Sequence, residues 1–210
     1  MIECNRILVL APHTDDGEFG CGGSIARWIE EGREVTYAAF SVCEESVPEG
    51  WPKDSLEREV REATASLGIS KENLHLFGYR VRRFDASRQD ILENLVSLNA
   101  SLRPDLVLTP SLNDIHQDHA TVSREAVRAF KRTTILGYEM PWNNLTINTS
   151  GFIKLADRHL DAKLRALACY ASQRHRGYAK EEVIRSLARV RGAQIGSELA
   201  ETFEVIRWVA

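Results

Sequence analysis

Two short stretches of this 210-residue chain concentrate side chains that bind cations and move protons. One is His13-Thr14-Asp15-Asp16-Gly17-Glu18; the other is Asn113-Asp114-Ile115-His116-Gln117-Asp118-His119. Adjacent carboxylates such as Asp15 and Asp16 repel one another and are costly to desolvate, so they call for a counter-charge, and a divalent cation is an economical one. His116 and His119 are three residues apart and face the same way once a helix has begun. Two histidines and one carboxylate with an open position make a usual catalytic zinc set, and also the facial triad of non-haem iron. With His13, Asp16 and His119 as ligands the centre stays net positive and acidifies a nearby water to a pKa of roughly 7. Asp15 and His116 are then left for proton chemistry. Asp15 is placed to take a proton from the attacking water. His116 is placed to stabilise an oxyanion and protonate a leaving nitrogen, with Asp118 holding its orientation and tautomer. This inventory suits metal-assisted amide hydrolysis. Spacing alone does not decide whether Asp16 or Asp15 is the ligand and the other a helix cap.

Both stretches directly follow strand-like runs, RILVLA at 6–11 and DLVLT at 105–109. Further strands are read at 34–42, 73–77 and 134–138, and helices at 24–31, 54–67, 87–102 and 118–132. Gly32, Gly68 and Pro104 stand where helices stop. The alternation predicts an α/β fold, a Rossmann-like mostly parallel sheet with helices on both faces. Ligands of such sheets bind beyond the carboxyl ends of the strands, which puts both clusters on one edge. From 151 onward the pattern loosens into a strand at 151–155, helices at 157–170 and 180–191, and a last strand at 202–209. With no linker or repeat, 1–210 reads as a single domain. Gly20-Cys21-Gly22-Gly23 offers a tight turn before the helix. It is a poor dinucleotide fingerprint, since Ile25 holds the third glycine position and the acids upstream repel a pyrophosphate.

Composition narrows the function. Lys plus Arg is 27 against 30 Asp plus Glu, a net charge of −3, so no basic excess exists to hold nucleic acid. No apolar run reaches the ~18 residues of a membrane helix, and the start carries no signal-peptide pattern. The cysteines (Cys4, Cys21, Cys43 and Cys169) are scattered without a CxxC pair, which fits a reducing cytoplasm and argues against a thiolate metal site.

The two motifs resemble those of the LmbE-like/PIG-L de-N-acetylase family. Its first motif, Ala-His-Pro-Asp-Asp-Glu followed after two residues by Gly-Cys-Gly-Gly, is similar to Pro12-His13-Thr14-Asp15-Asp16-Gly17-Glu18-Phe19-Gly20-Cys21-Gly22-Gly23. Its second, His-x-Asp-His, is similar to His116-Gln117-Asp118-His119. Weaker similarity continues through 163–173 and 200–208. The resemblance implies a zinc-dependent hydrolase that removes acetyl groups from N-acetylated sugars. It gives the metal to His13, Asp16 and His119, the base role to Asp15, and the oxyanion or acid role to His116 with Asp118 behind it. It also makes a homo-oligomer plausible. The HTDD variant, with NDIHQDH and YEMPWNN, resembles a bacterial branch associated with surface polysaccharides. The chain departs from the family at Thr14, where proline is usual, and at Gly17, where the glutamate is displaced to Glu18.

Other residues complete the expectation. Trp142 and Asn143 in YEMPWNN suit a sugar face and its hydroxyls, or equally a packed loop. Arg58 reaches the pocket or pairs with Glu62 on its helix. The basic run Arg80-Val81-Arg82-Arg83 meets a phosphate of a nucleotide- or lipid-linked sugar, or is a solvated loop. The cation is expected to be Zn2+, with Fe2+ or Co2+ within reach of the same donors. A non-haem iron oxygenase and a non-catalytic sugar-binding module of the same fold are the rival readings.

Overall fold

The computed structural model describes residues 4–210. Strands β1 (Arg6–Ala11), β2 (Glu34–Ala39), β3 (Leu74–Leu76), β4 (Leu106–Pro110), β5 (Thr134–Tyr138), β6 (Gly151–Leu155) and β7 (Leu199–Arg207) form one sheet in the order β3-β2-β1-β4-β5-β7-β6. The first five are parallel, with Val9 opposite Tyr37 on one side and Leu108 on the other. β7 and β6 close the sheet antiparallel. β1 and β4 are neighbours whose crossovers leave in opposite directions along the sheet. Their carboxyl ends therefore open the crevice in which such sheets bind ligands, and both motif loops start there.

β1 is buried on both faces, and its side chains divide between two cores by simple alternation. Ile7, Val9 and Ala11 join the core under α1 (Asp16–Glu30), α2 (Ser55–Leu67), α5 (Asp157–Ala168) and α6 (Glu181–Ala193). Leu8 and Leu10 join the core under α3 (Arg88–Leu102) and α4 (Gln117–Ala129). Gly68 ends α2 in the left-handed region at φ 93°, as its position in the sequence predicts. Arg103 takes that conformation at the end of α3 without being glycine, because Pro104 after it disfavours a further helical residue. Among the described residues, no helix is long and apolar enough to cross a membrane.

The Gly20–Gly23 stretch is not a turn. α1 starts eight residues before the expected Ser24 and passes through the glycines with a break at Cys21, whose φ is −148°. Breaking a helix strands carbonyls on one side and amides on the other. Two buried side chains take them up. Lys163 Nζ donates to the Phe19 carbonyl at 2.6 Å, while Glu201 accepts from the Gly23 and Ser24 amides at 3.0 and 2.7 Å. Lys163 and Glu201 also pair with each other at 2.7 Å. Gly20 itself is required by packing, since a Cβ there would run into the Tyr138 ring.

Candidate active site

His13 leaves the end of β1, and Asp16 opens α1 three residues later. His119 sits in the first turn of α4, after the loop that follows β4. Three atoms from these residues converge. His13 Nδ1, Asp16 Oδ2 and His119 Nε2 form a triangle with 3.1 Å on each side. Outer carboxylates set both rings. His13 Nε2 lies 3.0 Å from Asp118 Oδ2 and His119 Nδ1 lies 2.7 Å from Asp114 Oδ2, so each ring donates outward. The nitrogens that face each other then both carry lone pairs, which repel unless a cation lies between them. Ligand edges of about 3.0–3.4 Å follow from metal–ligand bonds of ~2.1 Å in octahedral or tetrahedral sites. The triangle fits such an ion. Electrostatics agree: burial would favour neutral His119, yet Asp16 and Asp114 outweigh it and raise its pKa to about 10. Burial pushes Asp16 up, and the two imidazoles overcome it and hold the carboxyl well below its usual range.

His116 also brings a ring nitrogen within reach, since one from each of the three histidines falls within 4.8 Å of the others. Its ring is held differently from those of His13 and His119. His116 caps α4, and its Nδ1 accepts from the Asp118 amide at 3.2 Å. Burial, then His119 and His13, lower its pKa and keep the ring neutral. The proton therefore sits on Nε2, where it is available as a donor. This refines the sequence expectation for Asp118. Its backbone fixes the His116 tautomer, but its carboxylate goes to His13 and to the amides of Arg82 and Phe84 at 2.6 and 3.3 Å.

Asp15 lies beside the triangle and caps nothing with its side chain. Burial and the neighbouring Asp16 raise its pKa to about 6, while Arg176, 4.0 Å away, opposes the rise. The same loop explains the chain's departure from the expected motif. A Cβ at Gly17 would stand 2.5 Å from Tyr37, whose hydroxyl accepts from the Gly17 amide at 3.1 Å. Glu18 is fully buried 2.5 Å from that hydroxyl and 3.0 Å from the Tyr170 hydroxyl. Both tyrosines also reach the Thr14 carbonyl, at 2.9 and 2.7 Å. Burial pushes Glu18 up to about 8 against the two tyrosine contacts.

A cavity of about 200 Å³ opens over these groups, lined by His13, Asp15, Asp16, His116 and His119 at its base. Its walls include Trp142, Asn143, Tyr178, Gln173, Arg176 and Arg82. Trp142 is stacked on Tyr178 with ring centres 4.0 Å apart, and Asn143 Nδ2 reaches Asp114 Oδ2 at 3.5 Å. Arg58 does not line the cavity. It pairs with Asp54 at 3.2 Å on an exposed helix end rather than with Glu62, because the i−4 position toward the N-terminus carries the nearer carboxylate. Sequence reasoning assigns no role to Asp114, Gln173, Arg176 or Tyr178. Asp114 has a signal in its acid-and-histidine neighbourhood. The other three lie in the irregular stretch after α5, where no periodicity points to a pocket.

With this site and fold in place, comparison with known proteins is direct. The chain belongs to the PIG-L (GlcNAc-PI de-N-acetylase) family, whose model matches residues 8–130, more than half of its length. It is similar to the uncharacterized deacetylase YaiS of Escherichia coli (strain K12), 25% identical over 172 residues covering 79% of this chain and 90% of that protein. Among solved structures, the conserved protein TT1542 of Thermus thermophilus is 28% identical, with a TM-score of 0.78 over 97% of this chain and 96% of the other. The N,N'-diacetylchitobiose deacetylase of Pyrococcus horikoshii, in complex with its inhibitor MPG, shares the fold with a TM-score of 0.81 at 22% identity, over 97% of this chain and 84% of that one.

Proposed function

We propose that this chain is a divalent-metal-dependent hydrolase that removes an acyl group, acetyl above all, from the nitrogen of an N-acetylated amino sugar. The observation that carries the reading is the triangle of His13, Asp16 and His119, with Asp15 beside it and short of partners. Zinc, or iron or cobalt on the same donors, would be held by those three side chains and supply Lewis acidity toward the amide carbonyl and water. Asp15 takes the proton of the attacking water as its oxygen bonds to the acyl carbon. The neutral His116 ring donates from Nε2 to the oxyanion that develops there. The C–N bond then breaks, and protonated Asp15 hands its proton to the leaving nitrogen, giving a free amine and a carboxylic acid that ionises to the solvent at neutral pH. Asp118 and Asp114 keep His13 and His119 in the tautomers this requires.

The Trp142–Tyr178 stack and the Asn143 amide suit a sugar ring and its hydroxyls. Arg82 and Arg176 at the cavity wall suit a phosphate on a nucleotide- or lipid-linked carrier. The four unpaired thiols fit a cytoplasmic enzyme. The oxygenase alternative is disfavoured, since its usual scaffold is an all-β jelly roll rather than this sheet. A panel of N-acetyl sugars, free, nucleotide-linked and lipid-linked, scored for released acetate with and without chelator, tests the proposal. Chelator-sensitive acetate release supports it. Full-affinity sugar binding by metal-free protein with no acetate release would replace it with the non-catalytic binding module.

A further inference from the structure

Among the described residues, Cys43, Arg82 and Arg103 are the non-glycine residues in the left-handed region, at φ 57°, 61° and 46°. The end of α3 accounts for Arg103. Arg82 lies between β3 and α3, in the wall of the cavity that holds His13 and Asp15. Its conformation has a local cause. The left-handed turn brings the Arg82 and Phe84 amides onto one carboxylate, Asp118, at 2.6 and 3.3 Å. Asp118 Oδ2 also stands 3.0 Å from His13 Nε2, so this loop is braced against a ring of the metal-binding triangle. Glycine would meet that backbone requirement with the least strain. The chain carries an arginine there instead, which turns attention to its side chain. Asp118 is taken up by the three contacts just named, and among the described residues the Arg82 guanidinium has no hydrogen bond or ion pair. Its cationic neighbours differ. Arg80 pairs with Glu45 at 2.7 Å, and Arg83 stands outside the cavity wall. Arg176 is in the wall but hydrogen-bonds the Tyr178 hydroxyl and stands 4.0 Å from Asp15.

We infer that Arg82 is a specificity-determining residue whose guanidinium takes an oxyanion, phosphoryl or carboxylate, carried by the amino sugar. This rests on the N-deacetylase reading above and deepens it. Of the two arginines suited to a charged carrier, Arg82 is the anchor, while Arg176 is engaged by Tyr178 and Asp15. A side chain on a braced backbone has less freedom to lose when it binds. Because Asp118 holds both the Arg82 turn and the His13 ring, an anion seated on Arg82 sets how far the sugar reaches toward the triangle. Neutral N-acetyl sugars are then poorer substrates than their anionic derivatives.

The test compares N-acetylglucosamine with four anionic derivatives: its 1-phosphate, its nucleotide-diphosphate and lipid-diphosphate conjugates, and its lactyl ether, which carries a carboxylate. Steady-state constants are measured for wild type, Arg82→Gly, Arg82→Gln and Arg82→Lys. Wild type is expected to favour at least one anionic form over the neutral sugar by about tenfold or more in kcat/KM, mainly through KM. Arg82→Gly and Arg82→Gln bring that ratio to within about twofold of one, and Arg82→Lys, which keeps the charge without the planar fork, retains part of it. The derivative whose advantage falls most identifies the source of the anion. Arg82→Gly relieves the backbone and should unfold at no lower temperature than Arg82→Gln, which separates lost preference from lost fold. A residue kept only for the turn would leave the ratio where it is in wild type. A wild-type ratio within twofold of one for every anionic form overturns the inference, as does a preference that survives in both Arg82→Gly and Arg82→Gln; either leaves the deacetylase reading standing. Wild-type protein that releases no acetate from any of these sugars, neutral or anionic, overturns both.

Discussion

Asp15 and Glu201 are both carboxylates buried against helix α1, one at its first turn and the other at its break, and their surroundings differ in kind. Glu201 receives two backbone amides, the Ser24 hydroxyl at 2.6 Å and the Lys163 ammonium at 2.7 Å. Asp15 has another carboxylate as its neighbour and, as its nearest cation, an arginine at 4.0 Å. One charge is saturated and serves to join α1, α5 and β7. The other is under-supplied, and its affinity for a proton is raised accordingly. A buried charge that is fully paired holds structure in place; one left short of partners is available for reaction.

Four measurements break or sharpen that contrast. The largest effect is expected for Asp15→Asn, which should lower kcat by ~10²–10⁴ while keeping the metal and the stability of the parent; His119→Ala should lose metal as well. Near-native turnover by Asp15→Asn would remove Asp15 from the base role. Glu201→Ala should do the reverse. It leaves Lys163 buried and unpaired and should cost about 3–5 kcal/mol in denaturant unfolding. A loss under 1 kcal/mol would mean the pair is not a structural tie. Glu18 stands between the two cases. Its carboxyl is neutral when folded up to about pH 8, held there by burial, and ionises when unfolded near its ordinary value of 4.5. Its stabilising contribution is full below about pH 4.5 and is lost as pH rises through about 8. Glu18→Gln should therefore flatten the decline in stability between those values, by up to about 5 kcal/mol. Parallel stability curves for the two proteins would show that Glu18 is ionised in the fold. The smallest effect belongs to Arg58→Ala, whose KM should stay within twofold of wild type because its partner is Asp54 on the surface.

Much of the site could be read from the sequence because its groups are local to two strand ends. His13 and Asp16 are three residues apart, as are His116 and His119, and the strand–helix alternation alone brings β1 and β4 to the same edge. The five parallel strands were legible for the same reason, and β5 at 134–138 lies as the sequence predicts. What escaped depended on contacts between distant segments. The antiparallel return of β7 between β5 and β6 leaves no mark in periodicity. The continuity of α1 through three glycines depends on Lys163 and Glu201, more than 140 residues away. Arg58 is ambiguous in sequence because a helix-surface arginine has several acids within one turn. Gly17 and Glu18 make sense only once Tyr37 is seen to occupy the space a side chain would need.

The tie between α1 and β7 also bears on the order in which the candidate site can be completed. Both motif loops are synthesised well before residue 150, but the helix that begins at Asp16 keeps an unsatisfied break until Glu201 arrives in β7. A growing chain therefore carries both motif loops long before the helix that follows the first of them is held rigid, and the geometry around its break is complete only once β7 has left the ribosome.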